Sequence, residues 1–147
     1  MAGKHGSLIS PAMFRRFITP RYTKILTMAR HRGVRIASMD SDGFVHQLAP
    51  LFRECGFNWF YPYEVQAGND LALMLKLYPD IVHGGHIDKR AMAKGTKAMD
   101  AEIERIRALL PQGRFLPYFD HVTPPDVPWD NYCYMVRRWK ALVGKTD

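Results

Sequence analysis

Four short runs of this chain end in residues that can move protons or hold cations: Asp40-Ser41-Asp42-Gly43, Pro62-Tyr63-Glu64, His83-Gly84-Gly85-His86-Ile87-Asp88 and Tyr118-Phe119-Asp120-His121. Carboxylates at i and i+2, such as Asp40 and Asp42, accept hydrogen bonds or hard cations. Histidine titrates near neutral pH, and His121 has Asp120 beside it, a pairing suited to general acid–base work. A glycine pair such as Gly84-Gly85 lets backbone N–H groups approach an anion. Each has a plainer reading. Asp42 could cap a helix starting near Phe44, Asp88 could cap the helix after it, Gly84-Gly85 could be a tight turn, and His121 a satisfied loop residue. Glu64 follows an aromatic run and precedes no obvious cap. Four such endings in succession point to one shared site, with His121 and Asp120 as catalytic candidates. Asp40, Asp42, Glu64, Gly84, Gly85, His86 and Asp88 are the substrate-binding candidates. No Gly-rich phosphate loop, serine nucleophile elbow or HExxH motif is present.

The runs are delivered by regularly alternating elements. Ser10-Pro11 reads as an N-cap followed by proline at the first helical position. Phe14, Phe17, Ile18, Ile25, Leu26 and Ala29 keep to one helical face, Pro20 predicts a kink or two helical pieces, and Gly33 ends the pattern. Val34–Asp40 reads as a strand, 44–55 as a helix stopped by Gly56, and Phe57–Glu64 as an aromatic strand. A short helix over Asp70–Tyr78 leads to a strand over 80–85, then a mostly helical stretch from Lys89 to Leu110. A strand over 114–119, a loop with Pro124, Pro125 and Pro128, and a helix over Trp129–Leu142 complete the chain. Strands alternating with helices imply a parallel sheet with helical crossovers, either an open doubly wound sheet or part of a (β/α)8 barrel. In both, function gathers at the carboxyl ends of the strands, where the four runs fall.

Composition fits one α/β domain over residues 1–147. Forty-seven per cent of the residues are hydrophobic, enough for an ordinary core. Every apolar run is broken by a polar or charged residue before membrane-spanning length, and the N-terminus lacks the apolar stretch of a signal peptide. The expectation is a cytoplasmic protein without a membrane partner. Cys55 and Cys133 show no metal-type spacing and read as free thiols. The formal charge of +7 is concentrated near the start, at Arg15, Arg16, Arg21, Lys24, Arg30, Arg32 and Arg35. No helix-turn-helix, zinc-finger or aromatic RNA-binding signature accompanies them, so a solvated helix face is the better reading than nucleic-acid binding.

Four stretches, "HGSLISPAMFRRFITPRYTKIL", "DSDGFVHQLAPLFRECGFNWFYPYE", "KLYPDIVHGGHIDKRAMAKG" and "FLPYFDHVTPPDVPWDNY", resemble, in that order, the C-terminal half of the uroporphyrinogen decarboxylase superfamily. That group includes the cobalamin-dependent methyltransferases that act with coenzyme M. The resemblance runs over nearly the whole chain. It implies the last four βα units of a (β/α)8 barrel, with Met1 at an internal position of longer relatives and Asp147 near the family's end. It also implies a lyase or methyltransferase acting on tetrapyrrole carboxylates or in corrinoid-linked methyl transfer.

The chain departs from the family in two places. The arginine pair and catalytic aspartate that hold the tetrapyrrole in decarboxylases lie in the N-terminal half, which has no counterpart here. His121 is similar to the histidine that decarboxylases place before a proline- and aspartate-containing loop. In the methyltransferases zinc is held by His-x-Cys and a later cysteine. Asp40-Ser41-Asp42 stands where His-x-Cys would be, which argues against a zinc–thiolate site; the decarboxylase reading needs no cofactor. Such barrels take about 250 residues. Half of one would leave the strands carrying Ile36, Trp59, Phe60, Val82 and Leu116 with a bare face and two raw edges. A homodimer, a separate N-terminal half-barrel, or a longer parent chain would complete it. A self-associating, anion-binding half-barrel without catalysis is the alternative function.

Overall fold

The computed structural model describes residues 1–145, so Asp147 lies outside the described residues. The chain opens with a two-stranded antiparallel hairpin, β1 (Ala2–Gly3) and β2 (Gly6–Ser7). No alternating pattern or strand-forming run announces it. Ser10 caps α1 (Pro11–Met13), its Oγ accepting the Met13 N–H at 3.2 Å. The helix continues through a π-helical turn at Phe14–Ile18 into α2 (Thr19–His31). Pro20 lacks an N–H, and the irregularity it causes is taken up in the turn just upstream rather than as a break. Gly33 follows α2 with φ of 84°, as a helix terminator should.

Four strands form one sheet in the order β3 (Ser38–Asp40), β4 (Trp59–Tyr61), β5 (Val82–Ile87) and β6 (Phe115–Phe119). Every neighbouring pair is parallel. Between them lie α3 (Ala49–Cys55), α4 (Leu71–Leu77) and α5 (Thr96–Leu109), and α6 (Trp129–Leu142) closes the described chain. The protein is a mixed α/β fold whose parallel sheet is flanked by helices. Spatial order follows chain order with no reversal.

Several boundaries differ from the sequence reading. The helix expected over 44–55 starts only at Ala49, because tertiary partners take the preceding N–H groups. Phe44 donates to the Gly3 carbonyl at 3.0 Å, and Val45 donates to Asn69 Oδ1 at 3.1 Å. Pro50 then sits in the first turn, where its missing N–H costs nothing. The helix expected over Lys89–Leu110 is divided. A 3₁₀ stretch covers Lys89–Lys94, Gly95 at φ 89° interrupts, and α5 follows. The first two predicted strands are shorter in the fold, the second ending before Pro62, which has no N–H for a ladder. The third runs two residues further, to Ile87.

One face of the sheet is covered by helices. Ala37, Met39 and Phe60 pack with Phe14, Leu26, Leu51, Phe52, Met74 and Leu75, and Phe52 meets Phe14, Phe57 and Phe60 edge to face. A second cluster joins Ile87 to Met99, Ile103, Ile106 and Met135. Strand alternation turns the other residues to the opposite face, which is bare. There Ile36 is 63% and Leu116 46% exposed, whereas Phe60, between Trp59 and Tyr61, points to the helices and is only 3% exposed. Trp59, Tyr61 and Tyr118 lean on one another across this face, with ring centroids 5.7 and 6.3 Å apart.

Part of the basic N-terminal surface is tied down. Arg15 pairs with Glu54 at 2.7 Å, and Arg30 donates to the carbonyls of Val34 and Gly56. Among the described residues no helix is long and apolar enough to cross a membrane.

Candidate functional site

The parallel sense of β3, β4 and β6 carries three of the predicted groups to one spot. One ligand atom each from Asp42, Glu64 and His121 lies within 4.8 Å of the others. Asp42 and His121 are exposed, and neither side chain has a hydrogen-bond partner among the described residues. Asp42 caps no helix, since the segment after Gly43 is a loop. Asp40 lines the adjoining cleft with Tyr61, Tyr118 and His121. On the other side, a second cleft is walled by Lys4, Gly43 and Gln66.

Glu64 is the fixed member. Its Oε2 accepts the Gly43 N–H at 2.9 Å, and its Oε1 accepts from Lys89 Nζ at 3.2 Å. Burial alone would raise its pKa, but the Gly43 N–H and Lys89 ammonium outweigh that and hold it below the ordinary value. Lys89 is itself buried and also lies 3.7 Å from Asp120 Oδ1.

Asp120 has no exposed surface. Its Oδ2 accepts the Val65 N–H at 2.9 Å and its Oδ1 the Lys89 N–H at 3.2 Å. Burial pushes its pKa up against the pull of those bonds. Asp120 therefore joins the loops after β4 and β5, and of the Asp120-His121 pair only His121 is open to solvent.

Asn69, also buried, donates to the carbonyls of Gly43 at 2.9 Å and Glu64 at 3.0 Å, fastening the loops after β3 and β4. The amino-terminal hairpin presses on the same place. A Cβ on Gly43, at φ 82°, would lie 2.6 Å from the Gly3 carbonyl oxygen, so the close approach needs glycine.

The remaining predicted residues are placed elsewhere. Asp88 caps the 3₁₀ turn after β5, accepting the Arg90 N–H at 2.9 Å, and its side chain pairs with Arg90 at 2.8 Å. Gly84 lies beneath Tyr118 and Trp59 on the bare face, and Gly85 packs directly on Pro62. Both are buried, and their lack of side chains is spent on close packing. His86 is buried too, its Nδ1 2.9 Å from the Tyr63 carbonyl, and burial lowers its pKa.

Lys89 and Asn69 were missed by sequence reasoning. Lys89 reads as an ordinary solvated lysine at a helix start. Asn69, next to the true cap Asp70, reads as part of a capping turn; Asp70 does accept the Leu73 N–H at 3.0 Å.

The donor set at the cluster is two carboxylate oxygens and an imidazole nitrogen. A thiolate-held zinc ion does not fit it. Cys55 is buried in the core among residues of α3, Cys133 is half-buried on α6, and neither belongs to the cluster. No family model, no curated protein and no solved structure matches the chain.

Proposed function

We propose that the chain is the C-terminal portion of a (β/α)8 barrel enzyme of the uroporphyrinogen decarboxylase type, acting on tetrapyrrole carboxylates or in corrinoid-linked methyl transfer. One observation carries the reading: Asp42, Glu64 and His121, from the ends of three strands of a parallel sheet in unbroken chain order, meet at one rim. That is where a barrel enzyme places its reacting groups. The bare sheet face is what a half-barrel would turn toward the barrel interior.

In this reading His121 handles the proton. When a carboxylate side chain of the substrate loses carbon dioxide, the C–C electron pair passes into the pyrrole-stabilised carbanion. His121, protonated, supplies the proton for the new C–H bond. Asp40 and Asp42 accept hydrogen bonds from ring N–H groups, and Glu64 is held still by Gly43 and Lys89. The test is to combine the full chain with the N-terminal half-barrel of such an enzyme and titrate with a porphyrin or a corrinoid, following visible absorbance. A saturable spectral shift is expected; no shift with either ligand overturns the reading.

The bare face also favours a second reading, association of two copies into an eight-stranded assembly about a two-fold axis. Ile36 and Leu116 both stand exposed on it, and β3 and β6 each have one unpaired edge. Sedimentation at micromolar concentration separates the cases: a two-chain species is expected, and a well-folded strict monomer contradicts it.

A further inference from the structure

We propose that Asp42, Glu64 and His121 bind one divalent transition-metal cation through oxygen and nitrogen ligands. The proposal stands on the geometry of the rim and does not need the tetrapyrrole or corrinoid reading; His121 ligates as the neutral imidazole, so the proton transfer assigned to it above belongs to the cation-free site. It replaces, with a different ligand chemistry, the thiolate-held zinc that the cysteines of this chain cannot provide.

Three observations carry it. First, the cluster is mixed, and its members come from three separate strand ends, so no single turn or helix cap explains their meeting. Two carboxylates that close repel each other unless a cation lies near both. Lys89 serves Glu64 but not Asp42, and Lys4, in the neighbouring cleft, pairs with neither.

Second, the three groups are prepared differently, as ligands commonly are. The Glu64 carboxylate is oriented from behind by Gly43 N–H and Lys89 Nζ, the kind of outer contact that fixes a metal-bound carboxylate. The Asp42 carboxylate and His121 imidazole have no other partner among the described residues and can turn inward. Metal–ligand bonds of about 2.0–2.2 Å require the three atoms to draw closer than they stand. Rotation of two exposed side chains between staggered positions supplies that movement without shifting backbone.

Third, the donor types select the ion. Carboxylate oxygens with one imidazole suit manganese or zinc, whereas a calcium site would have more oxygens and no nitrogen. Three protein ligands leave positions open to solvent or substrate, the pattern of a reactive rather than a closed structural centre. The cleft beside it, walled by Asp40, Tyr61 and Tyr118, is where such a substrate group would enter.

The test uses the full chain stripped of metal. Calorimetric titration with zinc or manganese should show one equivalent bound, and cobalt in the same place should give a visible d–d absorption band. Asp42→Asn and His121→Ala should each weaken binding by about ten-fold or more, while His31→Ala, on the exposed end of α2, should leave it unchanged. As a readout that needs no variant, manganese should broaden the His121 ring signals in proton NMR before those of the other histidines. No saturable binding, or affinity undiminished from the parent chain in either ligand variant, or preferential broadening of another histidine, would overturn the proposal. A failed porphyrin or corrinoid titration alongside intact metal binding would sink the enzyme reading alone.

Discussion

The rim has two tiers that differ in nearly every physical respect. The lower tier is Lys89 and Asp120, both buried, with Glu64, half-buried, and it is joined by hydrogen bonds and ion pairs to Gly43, Val65 and the backbone of the next loop. The upper tier, Asp40, Asp42 and His121, is exposed, and the Asp42 and His121 side chains have no partner among the described residues. A buried charge without a partner costs several kcal/mol, so the lower tier is internally paired and holds the loops in place, with Glu64 facing the tier above it. An exposed charge without a partner costs little, and that leaves the upper tier free for a ligand. Acidic groups of neighbouring strand ends, such as Asp42 and Asp120, can thus have different tasks.

Substitutions should separate the tiers sharply. The largest effect is expected at the foundation beneath both. A Cβ on Gly85, at φ 91°, would lie 2.0 Å from the Pro62 carbonyl oxygen, so Gly85→Ala should fail to fold or lose most cooperative unfolding by circular dichroism. Lys89→Met should follow. It strands the buried Asp120 and the half-buried Glu64, and urea unfolding should show a loss of about 3–5 kcal/mol.

Acid titration sharpens the contrast inside the lower tier itself. Glu64 has a lowered folded pKa, so its contribution to stability is present above its ordinary value of 4.5 and is lost as pH falls through the folded value. Asp120 has a raised one, so its contribution is present below its ordinary value of 3.8 and is lost as pH rises through the folded value. Glu64→Gln should therefore lose less stability on acidification than the parent chain, and Asp120→Asn should not share that protection. Equal acid slopes in both variants would break the distinction. At the small end, Asp42→Asn should change unfolding free energy by no more than about 0.5 kcal/mol, since nothing in the fold leans on that carboxylate.

Much of this arrangement could be read in the chain. Strands were visible as aromatic or β-branched runs ending in turn residues, and α6 starts at Trp129 and ends at Leu142 as read, bounded by Pro128 and Gly144. The meeting of Asp42, Glu64 and His121 was legible because a parallel sheet places all its strand tips on one side. What escaped were effects of distant partners. Phe44 and Val45 have helical neighbours in sequence but give their N–H groups to Gly3 and Asn69. Lys89 is invisible as a buried cation until Glu64 and Asp120 are seen on either side of it. Asp120 and Asp88 carry the residue types of a reactive site yet serve as a loop tie and a cap, because burial and a nearby N–H decide the task.

Asp42, Glu64 and His121 together make the one site on which the proposed chemistry rests. Diffraction from crystals of the full chain soaked in manganese, collected for anomalous signal, tests this directly. The expected result is a single strong peak coordinated by those three side chains at the carboxyl ends of β3, β4 and β6. A peak elsewhere on the surface with the three side chains left apart, or no peak at saturating metal, would contradict it.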